Sequence, residues 1–221
     1  MFHWLEQRPF FFAVTVFLFI AFAGLVEVLP DFAKQAQPTV GTKPYSVLQL
    51  AGRHVYIKDS CNACHSQLIR PFKSETDRYG MYSLSGEYAY DRPFLWGSKR
   101  TGPDLKRVGN YRTTDWHENH MKAPADVVPG TIMPAYPHMF KNIADIDTAY
   151  AEAVTVKNVF GVPYDKTGMP KLGNLEVAKA LALKEAKAIA ANMKDQDVKD
   201  AVANGNIPEI VALIAYLNSL K

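Results

Sequence analysis

The five residues Cys61–His65, with the sequence CNACH, constrain the fold more than any other part of the chain. Two thiols one helical turn apart, followed at once by an imidazole, form the attachment signature of a c-type haem. A zinc site would need two more ligands and the chain has no third cysteine, and a thioredoxin-like dithiol would need a βαβ context that is absent here. The motif therefore predicts one covalent haem c, bound by Cys61 and Cys64, with His65 as an axial ligand of its iron.

The N-terminal segment carries no charged side chain from Phe10 to Val26. Residues 9–29 would form a helix of about 30 Å that is apolar all round, which matches the hydrocarbon core of a bilayer. The sequence AFA at residues 21–23 is compatible with cleavage of a signal peptide, but the apolar run is longer than that of a usual signal. We expect residues 1–30 to be a retained transmembrane anchor.

The charges around the anchor predict its orientation. Arg8 precedes the apolar run, whereas Glu27 and Asp31 lie at its other end. The positive-inside rule then places the N-terminus in the cytoplasm and the remainder of the chain outside it. Residues 31–46, which contain two prolines and a glycine, are predicted to be a linker, and residues 47–221 an extracytoplasmic domain.

Two amphipathic stretches predict the helices that frame this domain. Leu48, Ala51 and Val55 recur at helical spacing before the haem motif, and the sequence IPEIVALIAYLNSL near the C-terminus places apolar residues on one face. The pair resembles the first and last helices of class I cytochromes c, which cross at a small residue against an aromatic one. Gly52 and Tyr216 are the candidates, although two unrelated core helices would show the same periodicity. The expected fold is mainly α, with one transmembrane helix and a class I cytochrome c-like domain with insertions.

The sequence VVPGTIMPAYP supplies a candidate for the second axial ligand. Methionine is a common iron ligand in electron-transfer cytochromes c. Pro134 restricts Met133 to an extended conformation, and the three prolines stiffen the loop, so that little entropy is lost in holding the thioether. The stretch resembles the methionine-proline ligand loop of class I cytochromes c. We therefore expect Met133 to be the ligand, and the alternatives are Met81, Met121, Met139 and Met169.

His117 and His120, in DWHENHMKAP, lie on one face of a predicted helix. Their H-x-x-H spacing differs from the H-E-x-x-H pattern of zinc metalloproteases. Either imidazole could bind the iron opposite His65. The simpler prediction is a helix between haem-binding segments, with both histidines partly exposed.

The segment RTGPDL, at residues 100–105, resembles the G-P-x-L stretch of class I cytochromes c. In that family the proline carbonyl accepts a hydrogen bond from the axial histidine. By this resemblance Pro103 would orient His65 and raise its basicity. An ordinary proline turn is the alternative.

Residues 66–100 form an insertion that a compact cytochrome c does not need. Six aromatic side chains lie between Tyr79 and Trp96 with arginines among them, which is typical of interfaces and of carboxylate binding, although a loop packed on its own haem is an alternative. With the motifs above, the insertion resembles the mono-haem cytochrome c subunit (subunit II, the O subunit) of cbb(3)-type cytochrome c oxidase. The resemblance is close from about Lys43 to Pro137. Residues 138–206 are predicted to be a peripheral, solvated helical insertion rich in Ala and Lys.

The resemblance implies a role in electron transfer at the bacterial inner membrane, with the haem domain in the periplasm. A second c-type subunit, usually di-haem, would donate electrons to the single haem c of this chain. That haem would pass them to haem b of a large catalytic subunit, which contains b-type haems and copper and reduces O2. The chain would be non-catalytic by itself. The family also implies a calcium ion at the boundary with the catalytic subunit, for which Ser98 is a candidate ligand.

Other functions remain open from the residues alone. The chain could be a stand-alone membrane-anchored cytochrome c, a c-type haem enzyme such as a peroxidase, or a haem-based sensor or assembly subunit. A peroxidase would need an exchangeable position on the iron. Nucleic acid is not an expected partner, because the net charge is only +3 and no run of Lys or Arg occurs.

Overall fold

The computed structural model describes residues 2–33, 37–97 and 99–221, which divide into two compact units, Met1–Ala36 and Gln37–Lys221. Within the described ranges the chain is mainly helical and has no β-strand, which confirms the predicted fold class. The α-helices are α1 Phe2–Glu6, α2 Pro9–Ala33, α3 Val47–Lys58, α4 Cys61–Cys64, α5 Lys73–Tyr79, α6 Thr114–Lys122, α7 Pro124–Val127, α8 Ile146–Phe160, α9 Leu175–Ala190, α10 Gln196–Ala203 and α11 Glu209–Ser219. Short 3-10 helices lie at Ser85–Tyr88, Val108–Asn110 and Pro137–Phe140.

Helix α2 makes up most of the first unit. Its segment Pro9–Pro30 has a mean hydropathy of 2.5, and its most apolar window is not buried within the protein. Such a helix is long and apolar enough to cross a bilayer, and it is compatible with a single-pass anchor. The helix runs past residue 29, where the sequence predicts its end, and through Pro30 to Ala33. A proline inside a helix removes one backbone hydrogen bond, and here the remaining ones carry the helix onward.

Helices α3 and α11 form the centre of the second unit. Ser46 begins α3 with a capping box: its hydroxyl accepts from the Gln49 N–H at 3.2 Å, and the Gln49 side chain accepts from the Ser46 N–H at 3.0 Å. The two helices cross at Gly52, where a Cβ atom would overlap the carbonyl group of Ala212 and lie 2.9 Å from the Cβ of Tyr216. The close approach requires glycine. The predicted crossing of a small residue against an aromatic one is confirmed.

Helix α11 is enclosed on all sides. Every residue from Glu209 to Leu217 is buried, and not only the apolar face that the periodicity predicts. A helix that is apolar all round belongs at the centre of a core. Helix α3 covers one side of it, and α6, α9 and two of the 3-10 helices cover others.

Residues 138–206 are more integrated than their composition predicts. Helix α9 contacts α3, α8, α10 and α11 through a row of buried alanines four residues apart: Ala178, Ala182, Ala186 and Ala190. Helix α8 packs on α3 and buries Ala149 and Ala153. Alanines at this spacing make only a narrow apolar stripe. From composition alone, a helix with such a stripe cannot be distinguished from a helix that is solvated on all sides. The segment therefore contributes to the core and is not simply a solvated addition.

Candidate functional site

A sharp change of backbone direction after α3 positions the two thiols. Asp59 ends the helix, and Ser60 adopts the left-handed conformation with φ of 56°, so that a new helical turn begins immediately. That turn is α4, which carries Cys61 at its start and Cys64 at its end. Cys61 is buried, which raises the pKa of its thiol to about 12, whereas Cys64 is exposed. His65 follows in an extended conformation, so both thiols and the imidazole lie within one turn and the residue after it.

One ring nitrogen of His65 already has a partner. Its Nδ1 lies 2.8 Å from the carbonyl oxygen of Pro103. Burial lowers the pKa of His65, so the ring is neutral at pH 7, its Nδ1–H donates to Pro103, and Nε2 keeps a free lone pair. A neutral imidazole fixed through Nδ1 is a form suited to binding iron.

Gly102 lies directly against the His65 ring. A Cβ atom at Gly102 would be 2.7 Å from Nδ1 and 3.0 Å from Nε2, which is closer than side chains normally pack. The backbone N–H groups of Thr101 and Gly102 donate to the Cys64 carbonyl at 3.0 and 2.9 Å. These two bonds, together with the missing side chain, hold the Pro103 loop against the haem motif.

Asp104 fixes the chain that follows His65, a role that the sequence did not reveal. Its side chain is fully buried. Its Oδ2 accepts from the Ser66 hydroxyl at 2.6 Å and from the Leu68 N–H at 2.8 Å, and its Oδ1 accepts from the Lys106 N–H at 2.8 Å. Asp104 occupies the x position of G-P-x-L, where the pattern specifies no residue type.

Arg100 extends this network into the insertion. It donates to the Ser66 hydroxyl at 2.6 Å and to the Glu75 carboxylate of α5 at 2.8 Å. The hydrogen bond from Arg100 holds the pKa of Glu75 at about 2. Glu75 also accepts from the Arg70 N–H at 2.9 Å. The insertion is therefore attached to the segment that follows His65 by a charged network.

Gln67 joins the insertion to the central helices. Its backbone N–H donates to the Trp96 carbonyl at 3.1 Å, and its carbonyl accepts from the Tyr88 hydroxyl at 2.7 Å. Its side-chain Oε1 accepts from the Tyr216 hydroxyl at 2.9 Å. On the outer side of the insertion, Phe94 stacks on Trp96 with ring centroids 4.5 Å apart, and the two side chains remain 45% and 40% exposed. Gln67, two positions after His65, thus contacts both the insertion and the helix crossing.

Met133 lies in a loop, residues 128–136, that we call the methionine loop. Its side chain is partly buried and packs against the core, and its N–H donates to the Thr131 hydroxyl at 3.2 Å. The N–H of Tyr136 donates to the Met121 carbonyl in the last turn of α6 at 2.9 Å, which anchors the far end of the loop. The alternative ligands differ in burial: Met121 and Met139 lie in the core, Met169 is half-buried and Met81 is exposed.

A polar cluster, Asp59, His138, Glu209 and Lys58, connects the segment just after the methionine loop to the haem motif. The Nε2 of His138 lies 3.2 Å from both carboxylate oxygens of Asp59. The Nζ of Lys58 lies 2.5 Å from a Glu209 oxygen, and ligand-type atoms of Asp59, His138 and Glu209 lie within 4.8 Å of one another. Asp59 immediately precedes the haem motif, so the cluster ties together two segments that are distant in sequence.

Helix α6 buries both of its histidines, contrary to the expectation that they are partly exposed. His117 is 1% exposed and His120 is 9% exposed. Burial lowers the pKa of both imidazoles, that of His117 to about 4, so both are neutral at pH 7. Repulsion from the nearby His65 also lowers the pKa of His120. The helical period gave the shared face of the two histidines, but it could not show what covers that face.

Glu118 fixes α6 to the chain that precedes α10. Its carboxylate oxygens accept from the N–H groups of Lys194 and Asp195 at 2.7 and 2.6 Å. Lys122 forms an ion pair with Asp195 at 2.7 Å. A segment of residues 138–206, to which the sequence assigned no role, therefore holds the helix that carries both histidines.

The residues gathered around α4 fit a c-type haem. Two thiols span one helical turn, the adjacent imidazole keeps a free Nε2, and Gly102 leaves room for that ring. Ser98, the candidate calcium ligand, lies outside the described residues.

Comparison with families of known proteins finds a match along nearly the whole chain. Residues 2–221 fit the family described as cytochrome c oxidase, mono-haem subunit/FixO. No curated protein matches the chain.

Proposed function

The chain belongs to the cytochrome c oxidase mono-haem subunit/FixO family, and we propose that it is the electron-transfer subunit of a cbb(3)-type oxidase. In this proposal a c-type donor, namely a second and usually di-haem subunit, passes electrons to the haem of this chain. They continue to haem b of a large catalytic subunit with b-type haems and copper, where O2 is reduced.

The residues of the site have distinct roles in this proposal. Cys61 and Cys64 would bind the haem through thioethers, and His65 and Met133 would be the axial ligands. The bound haem would supply a one-electron couple. Pro103 would hold the His65 ring in the orientation that directs Nε2 towards the iron. A ligand fixed in this way needs little rearrangement between oxidation states, which suits electron transfer.

The chain would have no catalytic site of its own. With His65 and Met133 both bound, the iron keeps no position for O2 or peroxide. A peroxidase would instead need an exchangeable position, and carbon monoxide would then bind readily to the reduced protein. We expect no such binding to the purified subunit.

The proposed location is the bacterial inner membrane, with α2 as a single-pass anchor. The N-terminus would be cytoplasmic and the haem domain periplasmic, in contact with the catalytic and di-haem subunits. A calcium ion at the boundary with the catalytic subunit, with Ser98 as a ligand, belongs to the same proposal.

The observation that supports the proposal most strongly is the environment of His65. Its Nδ1 is 2.8 Å from the Pro103 carbonyl, and Nε2 remains available beside both thiols.

Extraction of the full-length protein in mild detergent tests the proposal. One haem per chain should remain attached after denaturation, and it should be lost in Cys61→Ser and Cys64→Ser. A polytopic partner that contains b-type haem and copper should co-purify. Haem released by denaturation would contradict covalent attachment, and a solitary protein would contradict the oxidase assignment.

A further inference from the structure

Helix α6 carries two buried imidazoles whose polar atoms lack partners. Both ring nitrogens of His117, and the Nδ1 of His120, are buried without a hydrogen bond to any part of the chain that the structure describes. Buried polar groups in folded proteins nearly always have a partner, because an unpaired one loses its hydrogen bonds to water without replacement. Apolar residues at these positions would avoid that loss. The pair therefore points to a partner outside the polypeptide.

The position of α6 indicates which partner is available. Its last turn anchors the methionine loop through the Met121 carbonyl and the Tyr136 N–H. His120 directly precedes Met121, so it lies beside the residue that anchors the loop carrying Met133. A haem bound to Met133 would therefore be a neighbour of α6.

The groups on this side of α6 are hydrogen-bond donors and positive charges. Trp116 stacks on the His120 ring with centroids 4.4 Å apart, and the guanidinium of Arg112 lies 4.3 Å from the centroid of the Trp116 ring. The charge of Arg112 acts on both histidines, since it lowers their pKa values. Both acidic residues of the helix already have partners: Glu118 accepts from backbone N–H groups, and Asp115 accepts from the Thr113 hydroxyl and lies 3.9 Å from the Lys194 ammonium. Imidazole N–H and guanidinium donors are suited to a carboxylate, and haem carries carboxylates as its propionates.

We propose that His120, supported by His117 and Arg112, donates a hydrogen bond to a haem propionate and so acts as a positioning residue that raises the reduction potential. This inference rests on the proposed function only because it requires a haem at Cys61–His65. A hydrogen bond at the propionate withdraws negative charge from the neighbourhood of the iron. The oxidised iron, which carries one more positive charge, loses stabilisation, and the reduced form gains by comparison.

Two substitutions of one residue separate the hydrogen bond from packing. His120→Phe keeps a ring to stack on Trp116 but removes the donor, whereas His120→Gln keeps a donor. His54→Phe is the matched control, because His54 is a partly buried histidine of α3 that pairs with Glu152 of α8 rather than with the haem-side segments. All are made in the full-length protein with its covalent haem, solubilised in detergent. The measurements are a redox titration, the resonance Raman bands of the propionates and the methionine-to-iron charge-transfer band.

We expect His120→Phe to lower the ratio of reduced to oxidised haem at a fixed ambient potential by roughly threefold to tenfold, as for loss of one charge-assisted hydrogen bond. A tenfold change corresponds to 59 mV for one electron. The propionate bands should shift in His120→Phe, stay near wild type in His120→Gln, and not change in His54→Phe. If His120→Phe does not fold, His120→Leu tests the same loss.

Three results would overturn the proposal. The first is a His120→Phe protein whose potential and propionate bands match those of the control, even if its melting temperature falls, because the role would then be structural. The second is a change of iron ligation in His120→Phe, which would make His120 an axial ligand. The third is a His120→Gln protein that behaves like His120→Phe. Failure of the proposed function is seen separately, in the wild type, as absence of covalent haem or of an oxidase partner.

Discussion

Replacement of Gly102 with alanine is expected to displace the His65 imidazole. The new Cβ would overlap Cε1 of His65 and lie 2.7 Å from Nδ1, whereas ordinary contacts begin at 3.4 Å, so the ring or the loop must move by more than about 0.7 Å. The loop has little freedom, because the N–H groups of Thr101 and Gly102 are bonded to the Cys64 carbonyl. The ring therefore moves away from the Pro103 carbonyl, and the 2.8 Å hydrogen bond weakens.

The net effect on the free energy of unfolding is the sum of two contributions that lower it and one that raises it. Overpacking of a close contact costs about 1–3 kcal/mol, and the weakened hydrogen bond adds about 0.5–1.5 kcal/mol. The reduced freedom of the unfolded chain offsets about 0.4–1 kcal/mol, because the Gly102 backbone is not in the left-handed region. The free energy of unfolding should fall by about 2 kcal/mol, which lowers the melting temperature by roughly 4–8 °C for a domain of this size.

Two assays on the full-length haem protein distinguish the local effect from a general one. The melting temperature should fall, and carbon monoxide should bind to the reduced iron more readily than in wild type, since loss of the partner of an axial histidine typically weakens the metal bond by 10–100-fold. Thr101→Ala is the control, because its side chain is exposed and its backbone bond to Cys64 is unaffected. If Gly102→Ala had the same melting temperature and the same carbon monoxide binding as Thr101→Ala, the predicted displacement of the His65 ring would be refuted.

Four further predictions concern the core and the ligands. Gly52→Ala should lower the free energy of unfolding by more than about 2 kcal/mol, because overlap with a backbone carbonyl outweighs the gain in helix propensity of about 1 kcal/mol, and denaturant unfolding measures it. Asp104→Ala should cost about 3–5 kcal/mol by leaving three donors, two of them buried and one partly buried, without their acceptor, which a shift of the denaturation midpoint would reveal. Arg100 holds the pKa of Glu75 at about 2, below the 4.5 of a free side chain. The pair therefore stabilises the fold fully above about pH 4.5, and this stabilisation is lost as the pH falls towards 2. Glu75→Gln should remove this dependence, so that stability measured against pH falls less steeply between pH 4.5 and 2. Met133→His should lower the reduction potential and abolish the methionine-to-iron charge-transfer band, and retention of both would exclude Met133 as the ligand.

The features that could be predicted are those determined by residues close together in the chain. The CNACH turn places two thiols and an imidazole by local geometry, and the periodicity of α3 and α11 follows from side chains three and four residues apart. Gly52 and Tyr216 were identifiable because two helices that cross closely need a very small residue at the crossing point.

The parts that the sequence missed depend on partners distant in the chain. Asp104 binds Ser66 and Leu68, which precede it by more than thirty residues, and no local pattern specifies such a carboxylate. The burial of His117 likewise depends on what packs against α6. The alanine row of α9 was overlooked because a high alanine content was taken only as a sign of helix formation, although alanine can also form a packing surface.

The pairing of α3 with α11 has a consequence for the order of events during biogenesis. The contact between Lys58 and Glu209 joins residues 151 positions apart, so the central helix pair cannot close until all of the intervening chain has been synthesised. Throughout that interval the thiols directly after α3 are not yet enclosed, and Cys61, which is buried in the finished domain, is accessible. Any machinery that attaches a prosthetic group to these thiols therefore has its opportunity before the domain closes, and a mutation that accelerates closure would compete with attachment.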